Sequence, residues 1–253
     1  MIRPSVDLDK TTAPQPEPAE GNVAEQASSD IDDFIYLISH DVRASVRALL
    51  ELPQWIAEDL EVAGIKVDGT LATSIELMNR HTGRLDRMLV DLLAFSRVGR
   101  LQATQELDLR AAVEEVLEEM RIPAGFHVRH DLAGLTVMIG NRDLPTLLSA
   151  LISNGIKHHH ADTGNITVSA QAKGDQVVIR VCDDGPGVEE RFNKRIFAPM
   201  TTLRPRDEVE GSGMGLATVR KIATHYGGSA RLLAAPHGKG TCVEVRLPAA
   251  RQY

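Results

Sequence analysis

Cysteine is nearly missing from this chain, which has only Cys182 and Cys242. Both stand in apolar, strand-like runs. They read as reduced core thiols of a cytosolic protein rather than as a disulfide framework. No apolar run approaches the ~20 residues of a membrane-spanning helix, and no signal peptide opens the chain. A cytoplasmic location without membrane contact is the expectation. Positive charge is also in deficit: 28 Lys and Arg face 35 Asp and Glu, for a net charge of −7, of which residues 1–30 carry −4. No basic field remains for sequence-independent nucleic-acid binding, so no nucleic-acid partner is expected.

Familiar nucleotide signatures are absent too. No G-x-x-x-x-G-K-[ST] phosphate loop occurs. The run "GSGMGL" carries Leu216 where a dinucleotide fingerprint needs its third Gly, and a charged loop rather than a strand precedes it. The H-R-D, D-F-G and A-P-E set of protein kinases is missing.

What is present is an ordinary globular composition, 43% hydrophobic and 25% charged over 253 residues. Residues 1–29, with Pro4, Pro14, Pro16 and Pro18, have little to bury and read as a disordered tail. Ser29 or Asp30 suits the N-cap of a first helix. From there Ile31, Ile35, Ile38, Val42, Leu49, Leu52, Ile56 and Leu60 recur at three- and four-residue steps, predicting one long helix that ends near Ala63-Gly64. A second helix, from about Gly69-Thr70 to Val98-Gly99, carries Leu71, Ile75, Met78, Leu85, Leu89 and Leu92. A single hairpin buries two such stripes poorly, whereas a four-helix bundle made by dimerisation buries them well. Pro53, inside the first helix, is expected to kink it.

The chain changes character after Arg100. Residues 107–120, 141–160 and 215–228 read as helices. The runs "NITVSAQA", "QVVIRVCD", "ARLLAA" and "TCVEVRLP" read as strands. Without regular alternation of strand and helix, this half is expected to be an α+β sandwich.

Five elements bear chemistry. His40, between Ile38 and Val42, lies opposite the apolar stripe, beside Asp41 and on the face of Arg43, Ala44 and Arg47. An incidental surface histidine and a phosphate-accepting nucleophile both fit that position. A metal site does not, because no second ligand stands one turn away. On the helix "LISNGIKHH", Asn154, Lys157 and His158 share a face away from Leu147, Leu148 and Leu151; an amide oxygen suits Mg²⁺ and an ammonium suits phosphate. The run of three histidines reads as a polar helix end rather than a metal site. "CDDGPGV" ends a strand with Asp183, Gly185 and Gly187. "GSGMGL" sets Gly211, Gly213 and Gly215 before a helix, and "HGKGT" sets Gly238 and Gly240 before Thr241 and the last strand.

In this order, "SHD" on a helical hairpin, N-x-x-K-H, D-x-G-x-G, "IFAPM", G-x-G-x-G and G-x-G-T, the set resembles the sensor histidine kinases over Asp30 to Pro248. "DLLAFSRVGR" is most similar to phytochrome-type members. The resemblance implies a disordered tail (1–29), a helical hairpin for dimerisation and phosphotransfer (30–100) that forms a dimeric four-helix bundle, and an α/β-sandwich ATPase domain of the GHKL class (101–253). It further implies ATP and Mg²⁺, with autophosphorylation of His40 assisted by Asp41 and transfer to an aspartate of a response regulator. Asp183 would take the adenine amino group, in a pocket shaped by Gly185 and Gly187. Asn154 would hold Mg²⁺ and Lys157 would meet phosphate. Gly211, Gly213 and Gly215 would hinge a lid anchored by Phe197, with Arg204 or Arg206 reaching the nucleotide. His158, Leu216 and Thr241 complete the nucleotide set. The partners implied are a second copy of the chain, the regulator and a separate sensor protein as source of input.

The departures carry information. Ala44 stands where bifunctional members have the Thr or Asn that positions water, so phosphatase activity is expected to be weak. Ser45 replaces a usual Pro, Gly155 a usual Ala at a helix cost of ~1 kcal/mol, and Met200 an aromatic. Gyrase-like, mismatch-repair and anti-sigma relatives carry a Glu four residues before the asparagine. Ala150 stands there, so their general base is missing. A non-kinase phosphotransfer or scaffold protein with a degenerate ATP domain is the remaining alternative, and it sits poorly with the intact nucleotide motifs.

Overall fold

The computed structural model describes residues 20–100, 102–132, 134–204, 211–235 and 238–250, with side chains from Ile35 onward except Ser39 and His40. Helix α1 (Glu20–Val62) and helix α2 (Gly69–Ser96) form the expected hairpin. The α1 helix starts at Glu20, ahead of the expected Ser29 or Asp30, so residues 20–29 are helical rather than tail. Ala24, Glu25, Gln26 and Ala27 are good helix formers, which lets the turn propagate backwards from the apolar stripe. Pro53 lies inside α1, buried, without ending it.

The second unit opens with β1 (Thr104–Asp108) and α3 (Leu109–Glu119), followed by β2 (Phe126–Asp131), β3 (Thr136–Gly140) and α4 (Asp143–Lys157). After them come β4 (Gly164–Lys173), β5 (Gln176–Asp183), two 3-10 turns at Glu190–Phe192 and Arg195–Phe197, α5 (Gly215–His225), β6 (Ser229–Ala234) and β7 (Thr241–Pro248). The main sheet has the order β2-β4-β5-β7-β6; β2 and β4 are parallel and all other neighbours antiparallel. A two-stranded antiparallel sheet, β1-β3, stands beside it.

Helices α3, α4 and α5 cover one face of the main sheet. Leu144, Leu147, Leu148, Leu151 and Ile152 of α4 pack with Val113 of α3, Ile222 of α5, and Ile166, Ile179 and Val245 of the strands, all closed to solvent or nearly so. Each fully buried aliphatic side chain contributes roughly 1.5–3 kcal/mol. The α+β architecture, helical hairpin followed by an α/β sandwich, is as expected. Strands β1, β2 and β3 were not anticipated. The first is largely exposed and polar, and β2 alternates only weakly, with Phe126, Val128 and His130 turned inward.

Among the described residues no helix covers the opposite face of the sheet. The Glu244 carboxylate is buried there, and Arg180 (Nε 3.0 Å, Nη2 2.9 Å), Arg231 (Nε 2.8 Å) and Arg246 (Nη2 3.1 Å) donate to it. Burial pushes this carboxyl up, but the three guanidiniums outweigh burial and hold it at about 2.

The cysteines correct an expectation. The β5–β7 register places Cys182 opposite Cys242, Cα to Cα 4.0 Å, and the two form a disulfide instead of standing as separate reduced thiols. A separation of 60 residues in sequence conceals that pairing.

Candidate functional site

Asp183 ends the central strand β5, where its Oδ1 accepts the backbone N–H groups of Gly185 (2.9 Å) and Thr241 (3.0 Å). Both bonds fall on one oxygen, leaving Oδ2 as the atom suited to a ligand donor. Burial raises the Asp183 pKa above the ordinary value, against the lowering pull of those two N–H groups and His159. Gly240 makes this corner possible. Its φ is 96°, and a Cβ on it would strike the Asp183 carbonyl. The neighbouring Asp184 ties the corner to α4 and β4: it accepts from Asn165 N and Nδ2, both at 2.8 Å, and pairs with His159 Nε2 at 3.1 Å.

A cavity of about 650 Å³ extends from Asp183, a size suited to a nucleotide-scale ligand. Its walls include Asn154, Lys157 and His158 from the end of α4, Gly187, Arg204, Thr241, and Gly211, Gly213, Gly215 and Leu216 around the start of α5. Gly213, at φ 76°, lies so close to the chain at Met200 and Thr201 that a Cβ there would come within 2.6 Å of the Thr201 carbonyl. Burial first, then the Arg204 and Lys157 charges, lower the His158 pKa, so its ring is neutral at pH 7. One end of the cavity is therefore a carboxylate with a free acceptor. The other gathers an ammonium, a guanidinium, an amide and the N-terminus of α5, the chemistry of a polyphosphate site.

Two expected residues stand apart from the walls. Gly185 acts only through its N–H on Asp183, and Phe197 is buried in the core instead of facing the cavity. Arg206 lies outside the described residues. The three histidines part company: His158 lines the cavity, His159 straps Asp184, and His160 stacks on His159 at 4.7 Å. Among the described residues no cluster of His, Cys, Asp and Glu could hold a metal ion.

Sequence reasoning missed the wall that comes from the hairpin. Asp91 and Ala94 of α2 line the cavity, and Ser212 Oγ, between Gly211 and Gly213, donates to Asp91 Oδ2 at 2.5 Å. No local signal marks Asp91, which reads as one more polar position on a helix. Ala150 and Ser153 were within reach, since they share the Asn154 face of α4. The Arg97 guanidinium lies 5.2 Å from the Tyr36 ring centroid and sets the hairpin register. Counted from that contact at 1.5 Å per residue, His40 lies ~6 Å along α1 and Asp91 ~9 Å along α2 in the same direction, level within a turn. Asp41 is exposed.

Residues 140–251 match the model of the histidine kinase-, DNA gyrase B- and HSP90-like ATPases. The chain is 28% identical over 202 residues to cyanobacterial phytochrome A of Nostoc sp., covering 78% of this chain and 26% of that protein. To the signal transduction histidine-protein kinase AfsQ2 of Streptomyces coelicolor it is 29% identical over 266 residues, 96% of this chain and 46% of that protein. It thus spans about a quarter and about half of their lengths. In fold it is similar to full-length ShkA, solved with AMPPNP (TM-score 0.65, 20% identity, 87% of this chain and 46% of that one). It is also similar to the histidine kinase ThkA, solved with the response regulator protein TrrA (TM-score 0.61, 19% identity, 91% of this chain and 66% of that one).

Through its match over residues 140–251, the C-terminal unit is similar to the histidine kinase-, DNA gyrase B- and HSP90-like ATPases. The chain as a whole is a relative of the sensor histidine kinases, phytochrome-like ones among them.

Proposed function

We propose that this chain is an ATP-dependent protein histidine kinase of a two-component system, acting as a homodimer. ATP enters the cavity with its adenine amino group on Asp183 Oδ2 and its phosphates toward Lys157, Arg204 and the N-terminus of α5. An imidazole nitrogen of His40 forms the P–N bond to the γ-phosphorus as the bond to the β,γ-bridging oxygen breaks and ADP departs. Asp41 takes the ring proton. The phosphoryl group then passes to an aspartate of a response regulator, a partner class found with the ThkA neighbour.

The observation that carries this reading is that Asp91, on the hairpin level with His40, forms part of the wall of the nucleotide-scale cavity. A GHKL site alone fits several ATPases; one walled by a helix of the hairpin that carries the candidate phosphate acceptor fits a histidine kinase. The cavity also fits Mg²⁺. Asn154 offers one hard, neutral oxygen donor, as befits an ion that keeps several waters and phosphate oxygens, and bound Mg²⁺ would neutralise phosphate charge during transfer.

The hairpin surface supports a dimer. Leu49, Leu52 and Ile56 of α1 are each more than 40% exposed, and Met78 and Val90 of α2 are exposed too. A second hairpin covers that stripe in a four-helix bundle. No described helix is long and apolar enough to cross a membrane. Ala44, exposed one turn after His40, offers no side-chain oxygen to a water, so phosphatase activity is weak.

The test is incubation with γ-labelled ATP and Mg²⁺ of the wild type, His40→Ala and Asn154→Ala. Acid-labile, base-stable label on the wild type alone is expected. ATP bound without labelling would point to a required activator. Neither binding nor label would favour a phosphotransfer or scaffold protein.

A further inference from the structure

The hairpin and the ATPase domain meet through few, mostly polar contacts. Lys221 Nζ donates to the Phe95 carbonyl at 2.9 Å and lies 4.2 Å from the Phe95 ring centroid. Gly99 N donates to Asp143 Oδ2 at 2.9 Å, and the Tyr226 hydroxyl donates to the same oxygen at 2.8 Å. Val98 is buried in the ATPase-domain core. The chain is thus anchored from Val98 onward, and among the described residues the contacts at Asp91 and Phe95 include two hydrogen bonds and a cation–π pair. Polar contacts between domains of one chain allow relative motion.

Asp91 is the charged residue of α2 that lines the proposed nucleotide site. Its carboxylate forms part of the cavity wall and holds Ser212, the residue between the two glycines at the phosphate end. A triphosphate brings several negative charges into the same cavity. Coulomb repulsion across it is only partly screened, because the walls exclude water. The carboxylate that docks the hairpin therefore opposes the ligand that the cavity otherwise suits.

We propose that Asp91 is an electrostatic gate: the docked hairpin and a bound nucleoside triphosphate exclude one another in part, and the triphosphate releases the ATPase domain from α2. The gate rests on the nucleotide reading above and adds its regulation. Anchored at Val98, the released domain pivots about the segment from Phe95 to Val98. It is then free to bring the phosphates to the histidine segment of α1, which lies beside α2 at the same level. The coupling is reciprocal, so whatever strengthens docking weakens triphosphate binding by the same factor. A signal that shifts α2 against the ATPase domain would act on the kinase through this contact.

Calorimetric titration of the full chain with Mg²⁺ tests the gate, using adenosine, ADP and a β,γ-imido analogue of ATP. Asp91→Asn keeps the size of the side chain and a hydrogen-bonding partner for Ser212. It is expected to tighten the triphosphate analogue on the order of fivefold, ADP less, and adenosine not at all. Lys221→Met, outside the cavity walls, loosens the dock without altering the charge facing the phosphates. It is expected to tighten the triphosphate analogue as well. Small-angle X-ray scattering should show the wild type expanding with the triphosphate analogue but not with adenosine. Triphosphate binding indifferent to both substitutions overturns the gate, as does weaker binding by Asp91→Asn, an equal effect on adenosine, or no expansion. If the wild type binds none of the three ligands, the nucleotide reading itself falls, and the gate with it.

Discussion

Replacing Asp183 by Asn tests the adenine-reading corner atom by atom. Two backbone N–H groups, of Gly185 and Thr241, converge on Asp183 Oδ1 at 2.9 and 3.0 Å. An Asn must turn its only oxygen toward them, because the reverse orientation would set its NH₂ against two donors at once. Its NH₂ then occupies the position of Oδ2 and faces the ligand as a donor. The adenine amino group is also a donor, so a hydrogen bond to a charged acceptor is replaced by a clash of two donors. Losing such a bond and leaving buried groups unpaired costs about 2–3 kcal/mol, or roughly a 30- to 150-fold loss of ATP affinity. The local fold should persist, since both backbone bonds survive. Guanine presents an acceptor where adenine presents its amino group, so the ratio of GTP to ATP affinity should rise. Calorimetry with ATP and GTP, together with a urea melt of each protein, reads all three quantities. Unchanged ATP affinity in a folded variant would refute the assignment of Oδ2 to the base. Losses equal for ATP and GTP would refute the donor-for-acceptor argument.

Three further outcomes are expected. Glu244 has its carboxyl held at about 2 against an ordinary 4.5; a depressed carboxylate stabilises the fold above its unfolded pKa and loses that contribution as pH falls from 4.5 toward 2. Glu244→Gln should therefore destabilise by about 2–3 kcal/mol at pH 7 and by roughly half that at pH 3, measured by urea denaturation; a penalty that does not shrink with acid would contradict the ion-cluster account. Gly240→Ala sets a Cβ against the Asp183 carbonyl at a φ of 96°, so ATP binding should fall at least tenfold with a stability loss of about 2 kcal/mol or more; near-wild-type binding would show that the loop relaxes freely. Ala44→Thr supplies a hydroxyl one turn from His40 and should raise dephosphorylation of the phosphorylated regulator several-fold without raising the rate of His40 labelling, followed by loss of label from the regulator; no gain would break the link between this position and water.

How much of this was legible in the sequence depended on the range of the cause. Local periodicity located α2, α5, β5 and β7 because their hydrogen bonds and buried faces are dictated by neighbours three, four or two residues away. Glycine placement likewise marked the corner at Asp183 and the loop before α5, since a positive φ or a close backbone approach leaves few residue types to choose from. The strands β1, β2 and β3 escaped notice: each is short, and β1 gains its partner only when β3 arrives from another part of the chain. Phe197 was assigned to the lid on motif order, yet its bulk is spent in the core.

The sequence alone determined the two-part architecture, the glycine-bearing loops at Asp183 and before α5, and a histidine placed off the apolar stripe. Tertiary structure alone decided which of these meet. It paired Cys182 with Cys242 and gathered Arg180, Arg231 and Arg246 around one buried carboxylate; it also brought Asp91 to Ser212, 121 residues away, as a wall of the cavity. Side-chain pattern is a record of local geometry. Contacts between distant segments follow from how the strands register and how the hairpin docks, and no short window of residues encodes either.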